Sequence, residues 1–461
     1  MPRAEPELRE PRSGPGARRG AGWARRGWGW ACRGWGWRGA GWACRGWGWG
    51  WAWLAGLALL ALAIGLYAVN LALHPLHLLV SDIDLAVYRD AGLVARRTPG
   101  QLYRWQQSSG LRFTYTPFAA ALCIVLSVLP WGLVAWLMLA GSVAALVATG
   151  WLVLGALGWS GTRRLGTACA VSAVAFWLEP IQRTLHTGEV DLLLMLLVVR
   201  DLTGRARRWP GAGLGVAAGI KLVALIFIPY LLLTRRYRQA GAAALTFAAT
   251  VAAGAWLFPA ASGSWWLGGG FLDARRTGFP GYVANQSLFG LITRLAGALP
   301  AGAVWLTAAA LAGGAGLWLA ALLQRRGYPV HGWVTCALTG LIVSPVSWDH
   351  HWVWIAPVLA MLADAAIRAR GRPRAAWWAA AGLVAAAFGA WPNADPDLPW
   401  GLIWHAPATP HDAGAVHPEY HWAGLQLLVG NLYLLAGLAA LAAIAAAALR
   451  RPPDGGRLRA G

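Results

Sequence analysis

The stretch GLGVAAGIKLVALIFIPY, residues 213–230, has Lys221 as its only charged residue and indicates the class of the fold. A helix over such a run places its side chains in membrane hydrocarbon, where an unpaired ammonium group costs about 2.5 to 3.5 kcal/mol. Lys221 therefore either reaches the membrane surface or pairs with an anionic group such as a lipid phosphate. Similar runs recur from residue 51 to residue 449, and 58% of the 461 residues are apolar. The sequence predicts an all-α, polytopic integral membrane protein.

Several hydrophobic segments are candidates for membrane helices because their length matches the hydrocarbon core of a bilayer. They are residues 51–73, 117–158, 165–182, 190–200, 211–233, 239–259, 301–323, 331–346, 352–367, 375–391 and 422–449. Breaks near Pro130–Trp131 and Gly219 suggest half-helices or re-entrant pieces. We expect about 11 to 13 membrane helices in total.

The arginines concentrate in the tails and short loops and account for most of the net charge of +21. Cytoplasmic segments of membrane proteins are enriched in such residues. This asymmetry predicts a multi-pass protein of the cell membrane with both termini in the cytoplasm, and it explains the basic charge without nucleic-acid binding. The segments expected on the external face are residues 74–116, 186–191, 260–300, 346–351 and 392–421.

Composition divides the chain into three regions. Residues 1–50 form a basic tail of Gly, Arg and Trp repeats, which lack the period of a folded core and are expected to be disordered. Residues 51–449 form the transmembrane domain, and residues 450–461 form a second basic tail. Any chemistry is therefore expected in residues 51–449.

The first external segment contains SDIDLAVYRDAG, residues 81–92, directly after the first apolar run. Its continuation to Arg97 has the spacing of an amphipathic helix lying in the membrane interface, and Asp84 and Tyr88 share one face of that helix. Arg89 lies beside Asp90 and can neutralise it. One interpretation is a solvated loop with a local ion pair. The other is that Asp84, or Asp82 two residues earlier, is a general base for an attacking hydroxyl group.

Two further groups in the external segments are candidates for binding a lipid phosphate. Residues 100–118, GQLYRWQQSSGLRFTYTPF, combine Arg104 and Arg112 with Tyr115 and other aromatic residues, which also suit an aromatic belt at the headgroups. Residues 344–357, SPVSWDHHWVWIAP, place Asp349, His350 and His351 directly before an apolar helix. Adjacent histidines point about 100° apart on a helix, which makes a poor bidentate metal site. At a helix N-terminus they instead favour an anion such as phosphate.

Several stretches, in this order, resemble the polyprenol-phosphate-mannose-dependent α-(1→2) mannosyltransferases of glycosyltransferase family 87, which have the GT-C membrane fold. They are DLAVYRDAG, FTYTPFAAAL, HTGEVDLLLMLLVVRDL, GLGVAAGIKLVALIFIPYLLLTRRYR, NQSLFGLITR and SPVSWDHHWVWIAP, between about residue 80 and residue 370. In the third of these stretches the chain departs from the family pattern, because Glu189 and Asp191 stand where Gln and Asn are usual.

The resemblance implies a membrane glycosyltransferase that moves mannose from a polyprenol phosphate carrier to a glycolipid or lipoglycan on the external face. It implies that Asp84 is the general base and that His350 or His351 lies near the carrier phosphate. The residues expected to contact the sugar or the acceptor are Tyr88, Arg89, Tyr115, His186, Glu189, Asn285, Gln286 and Asp349.

The expected reaction is a single displacement with inversion, so that a β-linked donor gives an α-mannoside. Lys221, a histidine of the 350–351 pair and Arg104 or Arg112 would stabilise charge on the departing phosphate. Because these cationic groups can replace a metal ion, no metal and no cofactor are expected. The alternative is a transporter or lipid-carrier flippase, which predicts matching interrupted helices in two halves of the chain. The sequence contains no such internal repeat.

Overall fold

The computed structural model describes residues 52–73, 83–204, 209–300, 302–391, 400–407 and 417–449. Within these residues the regular structure is helical, and strand pairing is limited to isolated bridges such as Asn285 with Trp348. The all-α prediction is therefore confirmed. The helices are α1 (Ala52–Leu73), α2 (Ile83–Arg97), α3 (Pro117–Val128), α4 (Trp131–Ala156), α5 (Gly161–Phe176), α6 (Glu179–Thr187), α7 (Asp191–Thr203), α8 (Ala212–Ile220), α9 (Phe227–Leu233), α10 (Tyr237–Leu257), α11 (Leu288–Ala296), α12 (Gly302–Arg325), α13 (Pro329–Val343), α14 (Ile355–Arg368), α15 (Arg372–Phe388) and α16 (Leu432–Leu449).

Short turns connect several of these helices. Single α-helical turns occur at Pro259–Ser262 and Leu425–Val429. The 3₁₀ turns that matter for the site are Leu222–Ile226, between α8 and α9, and Asp349–Trp354, directly before α14. Both turns carry or adjoin charged residues that the sequence singles out.

The helices have the length and surface of membrane spans. Among the described residues, five helices are long and apolar enough to cross a bilayer: Trp131–Ala156, Tyr237–Leu257, Gly302–Arg325, Asp349–Arg368 and Leu432–Leu449. Large apolar side chains on these helices point outward, as Trp256 does with 83% of its surface exposed. A continuous apolar outer surface is unfavourable in water and favourable in hydrocarbon. The chain is a multi-pass membrane protein.

The breaks between helices follow local sequence. Pro130 separates α3 from α4, and Lys221, with extended backbone torsions, separates α8 from the turn that leads into α9. Both breaks lie where the sequence predicts them. The prediction of one continuous segment over residues 165–182 is wrong, because α5 ends at Phe176 and α6 begins at Glu179. Pro180 in the first turn of α6 can start a helix and cannot continue one from the preceding turn.

Helix α2 is amphipathic, as predicted, but a neighbouring helix covers its apolar face. Leu85, Val87 and Ala91 are buried and the helix packs on α3. The approach is so close that a Cβ atom at Gly92 would lie 2.1 Å from the carbonyl oxygen of Cys123. This packing fixes Asp84, in the first turn of α2, relative to the membrane helices.

Several helices have one end in the same part of the core. Helix α6 packs on the Asp349–Trp354 turn, which also contacts α7, and α8 packs on both α7 and α10. The turn between α6 and α7, the break after α8 and the Asp349–Trp354 turn therefore meet in one buried region. Their polar residues form the candidate site.

Candidate active site

Polar side chains from five separate parts of the chain converge in this region. Asp84 and Tyr88 come from α2, Tyr115 precedes α3, Glu189 and Asp191 flank the turn into α7, Lys221 follows α8, and His350 and His351 lie in the turn before α14. We call these eight residues the polar cluster. Because ionisable groups inside a membrane protein are costly, such a cluster is typical of a functional site.

Lys221 is compensated by carboxylates of the protein itself. Its Nζ atom lies 2.7 Å from Asp191 Oδ1 and 3.6 Å from Glu189 Oε1. It also lies 5.6 Å from the centroid of the Tyr115 ring. The sequence left two possibilities open for Lys221, and the structure shows the second, pairing with an anionic group. Any phosphate must share Lys221 with these two carboxylates.

Glu189 connects Lys221 to two tyrosines. The Tyr115 hydroxyl donates a hydrogen bond to Glu189 Oε1, and the hydroxyls of Tyr88 and Tyr115 lie 2.8 Å apart. Burial alone would raise the pKa of Glu189, but the neighbouring Lys221 and His350 outweigh it and hold the pKa well below its ordinary value. Glu189 is therefore a fixed negative charge at the centre of the cluster.

Asp84 has the environment of a general base. Burial raises its pKa to about 6, and the negative charge of Glu189 adds to this shift, whereas His350, Thr187 and Lys221 act in the opposite direction. A carboxylate with such a pKa is a stronger proton acceptor than an ordinary aspartate and is still ionised at neutral pH. Asp82, the alternative base, lies outside the described residues.

His350 and His351 both face carboxylates of the cluster. The carboxylate of Asp349 accepts a hydrogen bond from the backbone N–H of His350 and lies 3.2 Å from Nδ1 of the same histidine. The Nε2 atom of His350 lies 3.7 Å from Glu189 Oε1, and Nε2 of His351 lies 4.0 Å from Asp191 Oδ2. Asp349 therefore orients His350 rather than facing open solvent.

Arg183 and Glu179 of α6 are charged residues of this region that the sequence reasoning missed. Arg183 Nε lies 3.6 Å from Asp349 Oδ2 and 3.9 Å from Glu179 Oε1. Glu179 is fully buried and accepts a hydrogen bond of 3.0 Å from the Tyr433 hydroxyl. The sequence feature that could have identified them is the spacing of four residues between Glu179 and Arg183, which puts both on one helix face.

The side chains of Asn285 and Gln286 hydrogen-bond to backbone groups of other segments. Asn285 Oδ1 accepts from the backbone N–H of Ser347 at 2.9 Å, and its Nδ2 donates to the carbonyl oxygens of Pro280 and Pro345. Gln286 Nε2 donates to the carbonyl oxygen of Gly430 at 2.7 Å. Both side chains are completely buried. Asn285 thus holds the chain before the histidines, and Gln286 holds the start of α16 through Gly430 and Tyr433. Neither amide is free for a sugar, contrary to the expectation from sequence.

The remaining predicted residues lie around the cluster rather than in it. The guanidinium of Arg89 lies 6.0 Å from the centroid of the Trp131 ring. Arg104 and Arg112 are exposed, and Arg112 is close enough to Arg276 to lower its pKa further, in addition to burial. His186 is half-buried near the end of α6. Neither arginine of residues 100–118 has a contact with the polar cluster that would support a phosphate role there.

An apolar cavity opens beside the cluster, between α7, the Leu222–Ile226 turn, α13 and the turn before α14. Asp191, Lys221 and His351 form its polar end. Its apolar walls include Met195, Val198, Phe227, Leu341 and Trp354. A site of this kind, charged at one end and apolar along its length, suits a molecule with an anionic head and a hydrocarbon chain.

Comparison with known proteins identifies a family and several relatives with named activities. Residues 113–345 match the sequence profile of glycosyltransferase family 87. A polyprenol-phosphate-mannose-dependent alpha-(1-2)-phosphatidylinositol pentamannoside mannosyltransferase of Mycobacterium tuberculosis is 33% identical over 78% of this chain and 81% of its own length. The protein of the same name from Mycolicibacterium smegmatis is 34% identical over 77% of this chain and 85% of its own length. A Mycobacterium tuberculosis polyprenol-phosphate-mannose-dependent alpha-(1-2)-phosphatidylinositol mannoside mannosyltransferase is 32% identical over 57% of this chain and 64% of its own length. No solved structure matches the chain.

Proposed function

The chain belongs to glycosyltransferase family 87, and from that membership we propose that its polar cluster transfers mannose from polyprenol phosphate mannose to a phosphatidylinositol mannoside. The protein is a membrane glycosyltransferase that takes its sugar from a lipid-linked donor. The observation that carries the proposal for the site is the position of Asp84, a carboxylate with a raised pKa, beside a charged cluster that ends an apolar cavity.

The cavity suits the donor. An isoprenoid chain is apolar and would pack along Met195, Phe227 and Trp354, while its phosphate would reach Lys221 and His351 at the polar end. Because bilayer hydrocarbon is as apolar as these walls, the isoprenoid chain can exchange lipid contacts for protein contacts without exposure to water. The donor therefore arrives from the bilayer, and the site needs no fold for binding a soluble nucleotide.

The displacement needs one proton acceptor and one stabilised leaving group. In the proposed step, Asp84 accepts the proton of an acceptor hydroxyl while that oxygen forms a bond to the anomeric carbon of mannose. The bond from the anomeric carbon to the phosphate oxygen breaks on the opposite side, and its electron pair stays on the polyprenol phosphate. Lys221 and His351 stabilise the negative charge that develops there. A single displacement inverts the anomeric carbon.

Aromatic side chains next to the cluster suit the sugars of the acceptor. Tyr282 is exposed, its ring centroid lies 5.5 Å from that of Trp404 and 6.4 Å from that of Trp348, and Arg183 lies 5.3 Å from the Trp404 ring. Flat aromatic faces with a charged donor nearby can contact both the apolar and the hydroxylated sides of a hexose. The names of the relatives support a phosphatidylinositol mannoside as the acceptor class.

We propose that the site faces the exterior of the cell and that both termini are cytoplasmic. The support is the distribution of arginine: Arg163–Arg164, Arg235–Arg236 and Arg325–Arg326 lie at helix ends that the positive-inside rule assigns to the cytoplasm. The polar cluster is built from the opposite set of connections, such as the α6–α7 turn and the segment before α14.

The substitution Asp84→Asn tests the proposal, because it removes the proton acceptor and preserves the size of the side chain. We expect purified, folded Asp84→Asn protein to lose about 100-fold or more of its transfer rate from polyprenol phosphate mannose. The matched control is Asp90→Asn on the same helix, which is expected to keep activity. Wild-type turnover by Asp84→Asn would exclude Asp84 as the base, and loss of activity in Asp82→Asn alone would assign the role to Asp82.

A further inference from the structure

A second kind of ligand fits the polar cluster. We infer that Glu189, Asp191, His350 and His351 together bind a divalent transition-metal ion. From sequence, no metal is expected because cationic side chains such as Lys221 can replace one. In the structure, however, Lys221 is already paired with Asp191 and Glu189. The inference extends the proposed function but does not depend on the identity of the sugar or the acceptor.

The four side chains converge at the spacing of a metal site. One possible ligand atom from each lies within 4.8 Å of those from the other three. The gaps of 3.7 Å between His350 and Glu189 and of 4.0 Å between His351 and Asp191 are too long for hydrogen bonds. An ion bound at about 2.1 Å separates neighbouring ligand atoms by roughly 3.0 to 3.5 Å, so the closer pairs need only small shifts and the widest pair would have to close by about 1 Å.

Three of the four side chains have buried atoms without hydrogen-bond partners, whereas both oxygens of Glu189 already accept hydrogen bonds. His350 Nε2, both ring nitrogens of His351 and Asp191 Oδ2 have none within hydrogen-bond distance. The four residues are only 4% to 8% exposed. A buried polar group without a partner is unfavourable, so several of them facing one another indicate a missing ligand. A cation would satisfy Asp191 Oδ2 and the neutral imidazole nitrogens together.

Neighbouring residues already hold two of the ligands in a suitable orientation. Asp349 lies 3.2 Å from Nδ1 of His350, which leaves Nε2 directed toward Glu189. A carboxylate bound to the far nitrogen is the usual partner of a metal-binding histidine, because it fixes the ring and its tautomer. Lys221 likewise contacts Oδ1 of Asp191 at 2.7 Å and leaves Oδ2 free.

The donor set indicates the chemical class of the ion. Two carboxylates and two imidazoles suit Zn²⁺ or Mn²⁺ better than Mg²⁺ or Ca²⁺, which prefer oxygen ligands throughout. The two carboxylates cancel the charge of the ion, and Lys221 adds a further positive charge next to it. At the polar end of the cavity, such an ion would polarise a phosphate oxygen of the donor as a Lewis acid.

Metal content of the purified protein tests this inference without any substrate. Wild-type protein is stripped with a chelator, dialysed separately against Zn²⁺ and Mn²⁺ and analysed for bound metal. We expect about one ion per chain and an increase in melting temperature on loading. The double variant Glu189→Gln, Asp191→Asn removes two ligand charges at nearly constant volume and is expected to bind at least about tenfold more weakly.

The control is Glu419→Gln, which alters a buried glutamate outside the four residues and is expected to retain the ion. His351→Gln, with one ligand changed, provides a second test if the double variant does not fold. Wild-type protein without stoichiometric metal would overturn the inference, as would equal metal content in the wild type and His351→Gln. Because no donor or acceptor is present, failure here would leave the glycosyl transfer proposed above untouched.

Discussion

At the scale of single residues, Asp84 combines the two properties that a general base needs. It lies beside the charged groups of the polar cluster, and its pKa is raised to about 6 by burial first and by Glu189 second. An ordinary exposed aspartate has a pKa near 3.9 and accepts protons poorly. The same carboxylate would therefore lose its basic form in a pH range that enzymes readily tolerate.

The first prediction concerns the pH dependence of the reaction. Asp84 acts as a base only when it is deprotonated, so activity should be full above its pKa and should fall as the pH decreases through about 6. We expect log(kcat/KM) to fall with a slope of about one below that pH, since one group titrates. The donor is a phosphodiester and stays ionised throughout. Steady-state kinetics between about pH 5 and 8 check this, and a flat profile would contradict the role of Asp84.

Sequence reasoning identified some site residues and missed others for physical reasons. Lys221 was predictable because a lone ammonium in an apolar run requires a partner. Its actual partner, Asp191, was not, because the α6–α7 turn and the break after α8 are far apart in the chain. Arg183 directly follows residues 165–182, which were predicted to be a membrane span, and only the break before α6 reveals its place beside Asp349.

At the scale of secondary-structure elements, the chain before α14 is held by the segment before α11. Asn285 bridges the backbone of Ser347 and Pro345, and it pairs with Trp348 in an isolated bridge. These contacts fix the start of the turn that carries His350 and His351. The NQS motif is thus a structural support for the catalytic region.

The second prediction follows from that support. Asn285→Ala leaves the backbone N–H of Ser347 and the carbonyl oxygen of Pro280 without their partner, which should cost about 1 to 3 kcal/mol of stability. We expect a lower melting temperature and a reduced kcat even where the variant is still folded, because the histidines shift. Ser344→Ala, which removes one hydrogen bond to Val346 in the same loop, is the control with a smaller effect. Wild-type kcat in folded Asn285→Ala would contradict the positioning role.

Helix breaks were predictable only where the sequence marks them strongly. Pro130 and the Gly219–Lys221 region interrupt apolar runs with residues that disfavour a continued helix. The break between α5 and α6 escaped a prediction based on hydropathy because Trp177 and Leu178 are as apolar as the helices on either side, although Pro180 marks it in the sequence. Hydropathy alone does not distinguish one long segment from two helices joined by an apolar turn.

At the scale of the whole molecule, composition was enough to predict the fold class but not the convergence of the site. Long apolar runs with few charges require helices in a bilayer. Which helices become neighbours depends on close packing at small residues: a Cβ atom at Gly56 of α1 would lie 2.1 Å from the carbonyl oxygen of Gly166 in α5. Such contacts carry no signal in hydropathy, so the meeting of α2, α6 and the turn before α14 required the structure.

The proposed reaction takes a sugar from a lipid-linked donor and inverts its anomeric carbon. The direct measurement is a transfer assay with purified protein in proteoliposomes, polyprenol phosphate β-mannose carrying labelled mannose, and a phosphatidylinositol mannoside acceptor. We expect a labelled α-mannoside, identified by NMR or by a linkage-specific mannosidase, and no product from a soluble nucleotide sugar. A β-mannoside, or transfer from the nucleotide sugar in place of the lipid-linked donor, would contradict it.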